Sequence, residues 1–166
     1  TPKKKGGRQE FELGAVYWEW GRLFYDPFSV KPDYSDARYL GGIEWMDIDT
    51  AKKRWPSRAA ELEGSKTASG VNMTDNYEDE PEKKAWVTKG KRPRIRVVHM
   101  YHVVDGVWYL CQFTGGGILE KRPVPFVDED GNNWCPMRLQ SAYVDRDGDR
   151  YGEVRNLISP QDMINK

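Results

Sequence analysis

The sequence predicts an α+β fold: an antiparallel β-sheet with a hairpin, short helices and a C-terminal helix. Three observations lead there. Two β-rich runs, Ile95 to Val104 and Val107 to Phe113, flank Asp105-Gly106. A two-residue type I′ turn needs positive φ at both positions, which Gly adopts without cost and Asp tolerates, so this is a hairpin with its register fixed. A helix over Thr50 to Trp55 has Asp47 or Asp49 as its cap and Pro56 to end or bend it. From Tyr151 onward Val154, Leu157, Ile158 and Ile164 keep helical spacing, interrupted at Ser159-Pro160.

At 166 residues the chain fits one domain, long enough to bury a core without disulfide or metal staples. Aromatic residues make up 13% of it, with seven Trp and nine Tyr, which argues against disorder and for an aromatic-rich core. Lys plus Arg and Asp plus Glu number 26 each, so net charge pulls toward neither nucleic acid nor anionic lipid, and any DNA contact has to be local. No apolar run approaches the roughly 20 residues a membrane-spanning helix requires. Cys111 and Cys135 lack a CxxC partner and read as free thiols. The chain opens without Met and stops inside a helical pattern, which suggests an internal fragment of a longer polypeptide.

Residues 1–10 are basic and without period, a flexible lead-in. Residues 11–150 form a β-rich body, and 151–166 start a long helix. Within the body, Ala15 to Trp18 and Arg22 to Tyr25 read as one or two strands separated at Gly21, and Asp26-Pro27 punctuates them. Arg38 to Trp45 is a further strand, its Gly41-Gly42 pair marking a bulge or a close backbone approach. Ser57 can restart the helix after Pro56, with Gly64 as its stop. Residues 64–84 hold almost no apolar side chains and carry the acidic run Glu78 to Glu82, so they read as a mobile loop. Gly115-Gly116-Gly117 breaks the second hairpin strand, and short extended segments follow from Ile118 to Val127. In the last segment Pro160 kinks the helix or opens its next part, with Ser159 as cap.

Each candidate site has an ordinary alternative. Asp128 to Asn132 and Asp145-Arg146-Asp147-Gly148-Asp149 resemble calcium ligands, but the second places Gly at position 4 and Glu153 at position 9, where an EF-hand loop needs 6 and 12. Asp and Gly also make ordinary turns by side-chain to backbone bonding, which is the favoured reading. His99 and His102 fall on opposite faces of one strand and cannot share a metal without distortion. No nucleophile pair, nucleophile elbow or phosphate loop is present, so no catalytic, cofactor or metal site is assigned. The basic run Lys89, Lys91, Arg92, Arg94 and Arg96, near Tyr101, Trp108 and Tyr109, is a candidate surface for DNA or for another subunit. Trp18, Trp20, Trp45 and Trp55 fit packing or a subunit interface better than ligand stacking.

Three segments, taken in order, resemble the portal proteins of short-tailed, podovirus-type phages. They are RLFYDPFSVKPDYSDARYLGGIEWMDIDTAKKRWP from Arg22 to Pro56, the hairpin around VHMYHVVDGVWYLC, and VPFVDEDGNNWCPMRLQSAYVDRDGDRYGEVRNLISPQDMINK ending at Lys166. The resemblance implies a structural virion subunit with no enzymatic activity and no cofactor. It implies a homo-oligomeric ring of twelve copies at one capsid vertex, assembled in the host cytoplasm. That ring docks the terminase and the tail adaptors and passes double-stranded DNA during packaging and ejection without reading its sequence. The β-rich body would be wing or clip. No function is carried over to the basic lead-in or to the acidic loop 64–84. Two further readings stay open: a nucleic-acid-binding module using the basic hairpin face, and a calcium-assisted hydrolase built on the two Asp clusters, the second with Asp145, Asp147 and Asp149.

Overall fold

The computed structural model describes residues 3–5, 8–10, 14–68, 85–88 and 92–165. Lys3–Lys5 (β1) pairs antiparallel with Arg8–Glu10 (β2), so the segment expected to be a loose lead-in contains a small hairpin. Leu23–Tyr25 (β3) follows a 3₁₀ turn at Trp20–Arg22, and Tyr39–Asp47 (β4) leads into Ile48–Arg54 (α1). A 3₁₀ turn at Pro56–Arg58 opens Ala59–Ala68 (α2). Arg94–Val104 (β5), Val107–Thr114 (β6) and Gly117–Pro123 (β7) complete the main sheet. Tyr143–Val144 (β8) and Arg150–Tyr151 (β9) form a second small hairpin before Val154–Ile164 (α3).

The main sheet is antiparallel throughout, in the order β3-β4-β5-β6-β7, so the fold is α+β as the sequence predicts. Asp105 and Gly106 have φ of 50° and 79°, which is the positive pair a type I′ turn requires between β5 and β6. Beyond Phe113 the place beside β5 is taken by residues 86–88: Arg96 N–H donates to the Trp86 carbonyl and Thr88 N–H to that of Arg94.

Side-chain alternation gives the sheet two faces. Met46, Ile95 and Val97 pack under α1 and α2 with Ile48, Ala51, Trp55, Leu62 and Leu119. At the other end of the same face Leu40 joins Tyr34, Ala37, Cys135 and Leu139, with Leu23, Tyr25, Tyr101 and Trp108 against them. The opposite face carries half-buried Tyr39, Ile43, Trp45, Met100, His102, Tyr109 and Phe113.

Several expectations change here. Ala15 to Trp18 does not form a strand; Trp18 instead lays its ring across Gly42, where a Cβ would stand 2.5 Å from it. Gly41 and Gly42 therefore mark close approach and not a bulge, and β4 keeps unbroken register with β5 from Tyr39↔His102 to Asp47↔Arg94. Gly64 does not stop α2, because the helix runs on to Ala68 with Gly116 pressed against it; a Cβ on Gly116 would meet Ser65 N at 2.8 Å. Residues 64–68 of the expected acidic loop are thus helical, and 69–84 lie outside the described residues. Ser57 sits within the 3₁₀ turn and does not cap α2. Pro160 lies inside α3, so Ser159 caps no new segment.

Candidate assembly surface

The basic run is the first candidate. Lys89 and Lys91 lie outside the described residues. The other three cations each hold a partner within the protein. Arg92 Nη2 is 2.6 Å from Asp47 Oδ2, Arg94 Nη2 donates to the Trp45 carbonyl at 2.6 Å, and the Arg96 guanidinium lies 5.3 Å from the Trp86 ring centre. Burial lowers the pKa of Arg96. These arginines sit along the start of β5 and brace it against β4 and residues 86–88. Tyr101 and Trp108 face the core around Leu40, away from them, and so do not form an interleaved base-stacking platform with the run.

The two histidines diverge as their spacing predicts. His99, 8% exposed, has its Nε2 2.9 Å from Glu44 Oε2 and its Nδ1 2.8 Å from Gln112 Nε2. Gln112 Nε2 carries only protons, so Nδ1 accepts and Nε2–H donates to Glu44. The hydrogen bond from His99 is the chief cause of a lowered Glu44 pKa, and Arg54 adds to it from 3.5 Å. The Trp18 ring meets the His99 ring edge-on at 5.6 Å, and both border a cavity of about 550 Å³ lined also by Tyr17, Leu23, Met137 and Leu139. With both nitrogens engaged, His99 ties three strands to the irregular arm of residues 14–19 and has no lone pair left for a substrate. His102 stacks on Tyr109 at 5.9 Å on the other face, where its buried Nδ1 has no hydrogen-bond partner among the described residues and desolvation lowers its pKa.

The Asp clusters form two copies of one turn. Asp128 Oδ1 accepts from the N–H of Asp130 and of Asn132, at 3.0 and 2.7 Å. Asp145 Oδ1 does the same for Asp147 and Asp149, at 3.1 and 2.8 Å. Gly131 and Gly148 occupy matching positions with φ of 81° and 88°. The leading carboxylate of each cluster is thus turned inward onto backbone donors, and no metal-holding group of His, Cys, Asp or Glu occurs among the described residues. Cys111 and Cys135 are both buried and free, and burial pushes the Cys135 thiol up to about 11.

The feature that sequence spacing located best is α3. None of its residues is buried. Val154, Leu157, Ile158, Met163 and Ile164 are exposed by 74, 60, 55, 77 and 78%. Exposed apolar side chains also gather at the arm, where Val16 and Tyr17 reach 79 and 89%, and at Phe28 with 88%. Isolated exposed apolar residues are ordinary, but grouped ones mark contact surfaces. The described residues therefore offer unfilled apolar surface and no convergent group of metal-holding side chains.

A family model described as the phage P22-like portal protein matches residues 3–166. The chain belongs to that family. No curated protein matches it. The P22-like portal family is structural, belongs to the virion and assembles as oligomeric rings. A portal subunit needs surfaces that meet its neighbours; α3 and residues 14–19 leave apolar side chains exposed.

Proposed function

We propose that this chain is a non-enzymatic part of a podovirus-type portal subunit. Twelve copies form a ring at one capsid vertex, conduct double-stranded DNA during packaging and ejection, and dock the terminase and the tail adaptors. Assembly in the host cytoplasm, the β-rich body as wing or clip, and α3 as the first turns of a longer helix belong to the same reading. The observation that carries it is the apolar stripe of α3, which covers no core of its own. An eleven-residue helix is marginal in water by itself, and packing of one face normally supplies its stability. Ring contacts are heterologous, so one subunit's stripe meets a different surface on the next, and the ring closes only for one rotation per copy.

Single-particle imaging of the full-length protein tests this. Closed rings are the expected result, and a monodisperse monomer at every concentration would overturn it. The nucleic-acid reading is weakened by the engaged state of Arg92, Arg94 and Arg96. Phosphate binding through Lys89 to Arg96 would lose affinity steeply between low and moderate salt.

A further inference from the structure

The hairpin β8–β9 has only two paired positions, Tyr143↔Tyr151 and Val144↔Arg150, too few to hold itself in place. The Arg150 side chain ties it to the body, beside a backbone hydrogen bond from Ser141 N–H to the Pro32 carbonyl just ahead of β8. Arg150 Nη1 donates to the Lys31 carbonyl at 3.0 Å and to Ser141 Oγ at 2.8 Å. Its Nη2 donates to the Ser29 carbonyl at 2.8 Å and to Ser29 Oγ at 3.1 Å. The guanidinium lies 3.7 Å from the Tyr34 ring centre and 5.5 Å from that of Tyr25. Ser29, Tyr34 and Ser141 are all buried, at 3, 2 and 8% exposure, and Ser141 is tied to Tyr34 through their hydroxyls at 3.2 Å. None of these four acceptors is a carboxylate; carbonyl dipoles, hydroxyls and two ring faces hold the charge.

From the hairpin the connection passes to α3. The Arg155 guanidinium lies 4.5 Å from the Tyr151 ring centre and 3.1 Å from Asp145 Oδ2, while Tyr143 donates to Glu153 Oε1 at 2.5 Å and stacks on Tyr151. The helix itself buries nothing. Its direction relative to the sheet is therefore transmitted through Tyr151 and the hairpin to Arg150.

We infer that Arg150 is a positioning residue: it turns the β8–β9 hairpin into a rigid bracket that fixes the angle at which α3 presents its apolar stripe to the next subunit. The link to assembly rests on the ring reading above; the bracket itself does not. In a heterologous ring an error in that angle accumulates from copy to copy, so a loose bracket gives mixed subunit numbers or no closure. Lys cannot substitute, because its single ammonium lacks the planar fork that reaches all four acceptors.

The test uses the full-length protein with spin labels on Lys53→Cys and Gln161→Cys, diluted into unlabelled subunits. Arg150→Met and Arg150→Lys are each expected to broaden the distance distribution at least twofold and to give mixed or unclosed rings in images. A distribution as narrow as that of the unaltered protein, in a folded Arg150→Met variant, would overturn the bracket. Broadening with uniform rings would overturn its role in assembly. Broadening in a protein that forms no rings even unaltered would support the bracket and remove the ring reading. Should Arg150→Met fail to fold, Ser141→Ala removes one of the four acceptors, together with the hydroxyl contact to Tyr34, and is expected to broaden the distribution by a smaller amount; no broadening there would count against the bracket.

Discussion

Ser65 Oγ on α2 lies 2.8 Å from Thr114 Oγ1 at the end of β6, with both residues buried. The same Ser65 oxygen accepts from the Gly116 N–H at 3.1 Å and contacts the Glu61 carbonyl at 3.0 Å. A buried donor that loses its partner costs about 1–3 kcal/mol. Ser65→Ala strands the buried Thr114 hydroxyl and leaves the part-buried Gly116 N–H to water, so it is expected to lower stability by roughly 1–3 kcal/mol on that scale. Urea unfolding followed by circular dichroism would register it as a lower midpoint with unchanged slope.

The glycines separate by what surrounds them. A Cβ on Gly116 meets backbone, with Ser65 N at 2.8 Å and the Gly64 carbonyl carbon at 2.9 Å, whereas one on Gly42 meets only the Trp18 ring, at 2.5 Å. Backbone cannot step aside as a terminal ring can. Gly116→Ala is therefore expected to cost about 2–3 kcal/mol or more by forcing α2 off the sheet. Gly42→Ala should cost less and expel Trp18, seen as a more water-exposed tryptophan emission that is absent in a Trp18→Phe background.

Burial holds the Cys135 thiol at about 11, raised from 9.0. The unfolded chain therefore gives up this proton at lower pH than the folded one. Stability from this group is complete below about pH 9 and falls as pH rises toward 11, by about 2–3 kcal/mol for a two-unit difference. The part of the alkaline decline that disappears in Cys135→Ala measures it. A decline identical in both proteins would show the group to be irrelevant.

Asp145 uses one carboxylate oxygen on two backbone N–H groups and the other on Arg155. Calcium up to millimolar concentration is expected to leave the melting temperature unchanged. Asp147→Asn should be nearly neutral, and Asp145→Asn should lower the melting temperature by a few degrees, with or without calcium. A calcium-dependent rise abolished by both substitutions would restore the metal reading.

Leu157 and Ile158 are 60 and 55% exposed on α3. Surface changes of this kind usually stay within about 0.5 kcal/mol. Leu157→Asp and Ile158→Asp should therefore leave the fold intact while abolishing ring formation in the full-length protein, as judged by sedimentation. Intact rings would remove this stripe from the subunit interface.

What could be read in advance was what depends on neighbours in sequence. The Asp105-Gly106 hairpin, the stop at Pro56 and the helical spacing of Val154, Leu157 and Ile158 all follow from backbone preference or period, and all appear in the fold. The failures share a different cause. Ala15 to Trp18 has strand composition, yet Trp18 packs as a ring against a glycine far along the chain. Gly64 looks like a helix stop until Gly116, in the turn between β6 and β7, is found pressed against it. Nothing in the local pattern singled out Arg150, because its acceptors come from positions 29, 31 and 141.

The amino-acid order alone determined the class of fold, the central hairpin, the polar turns made by the Asp clusters and an apolar helix stripe without an obvious core to cover. Tertiary structure alone decided that the basic arginines are engaged, that His99 is locked between Glu44 and Gln112, and that the Arg150 guanidinium reaches Ser29, Lys31 and Ser141. The physical reason is range. Turn geometry and helix period are set by φ and ψ preferences over a few residues. A hydrogen-bond clamp or a glycine contact exists only once segments separated in sequence have been folded together, as Ser29 and Arg150, more than a hundred residues apart, are brought to within 3 Å of each other.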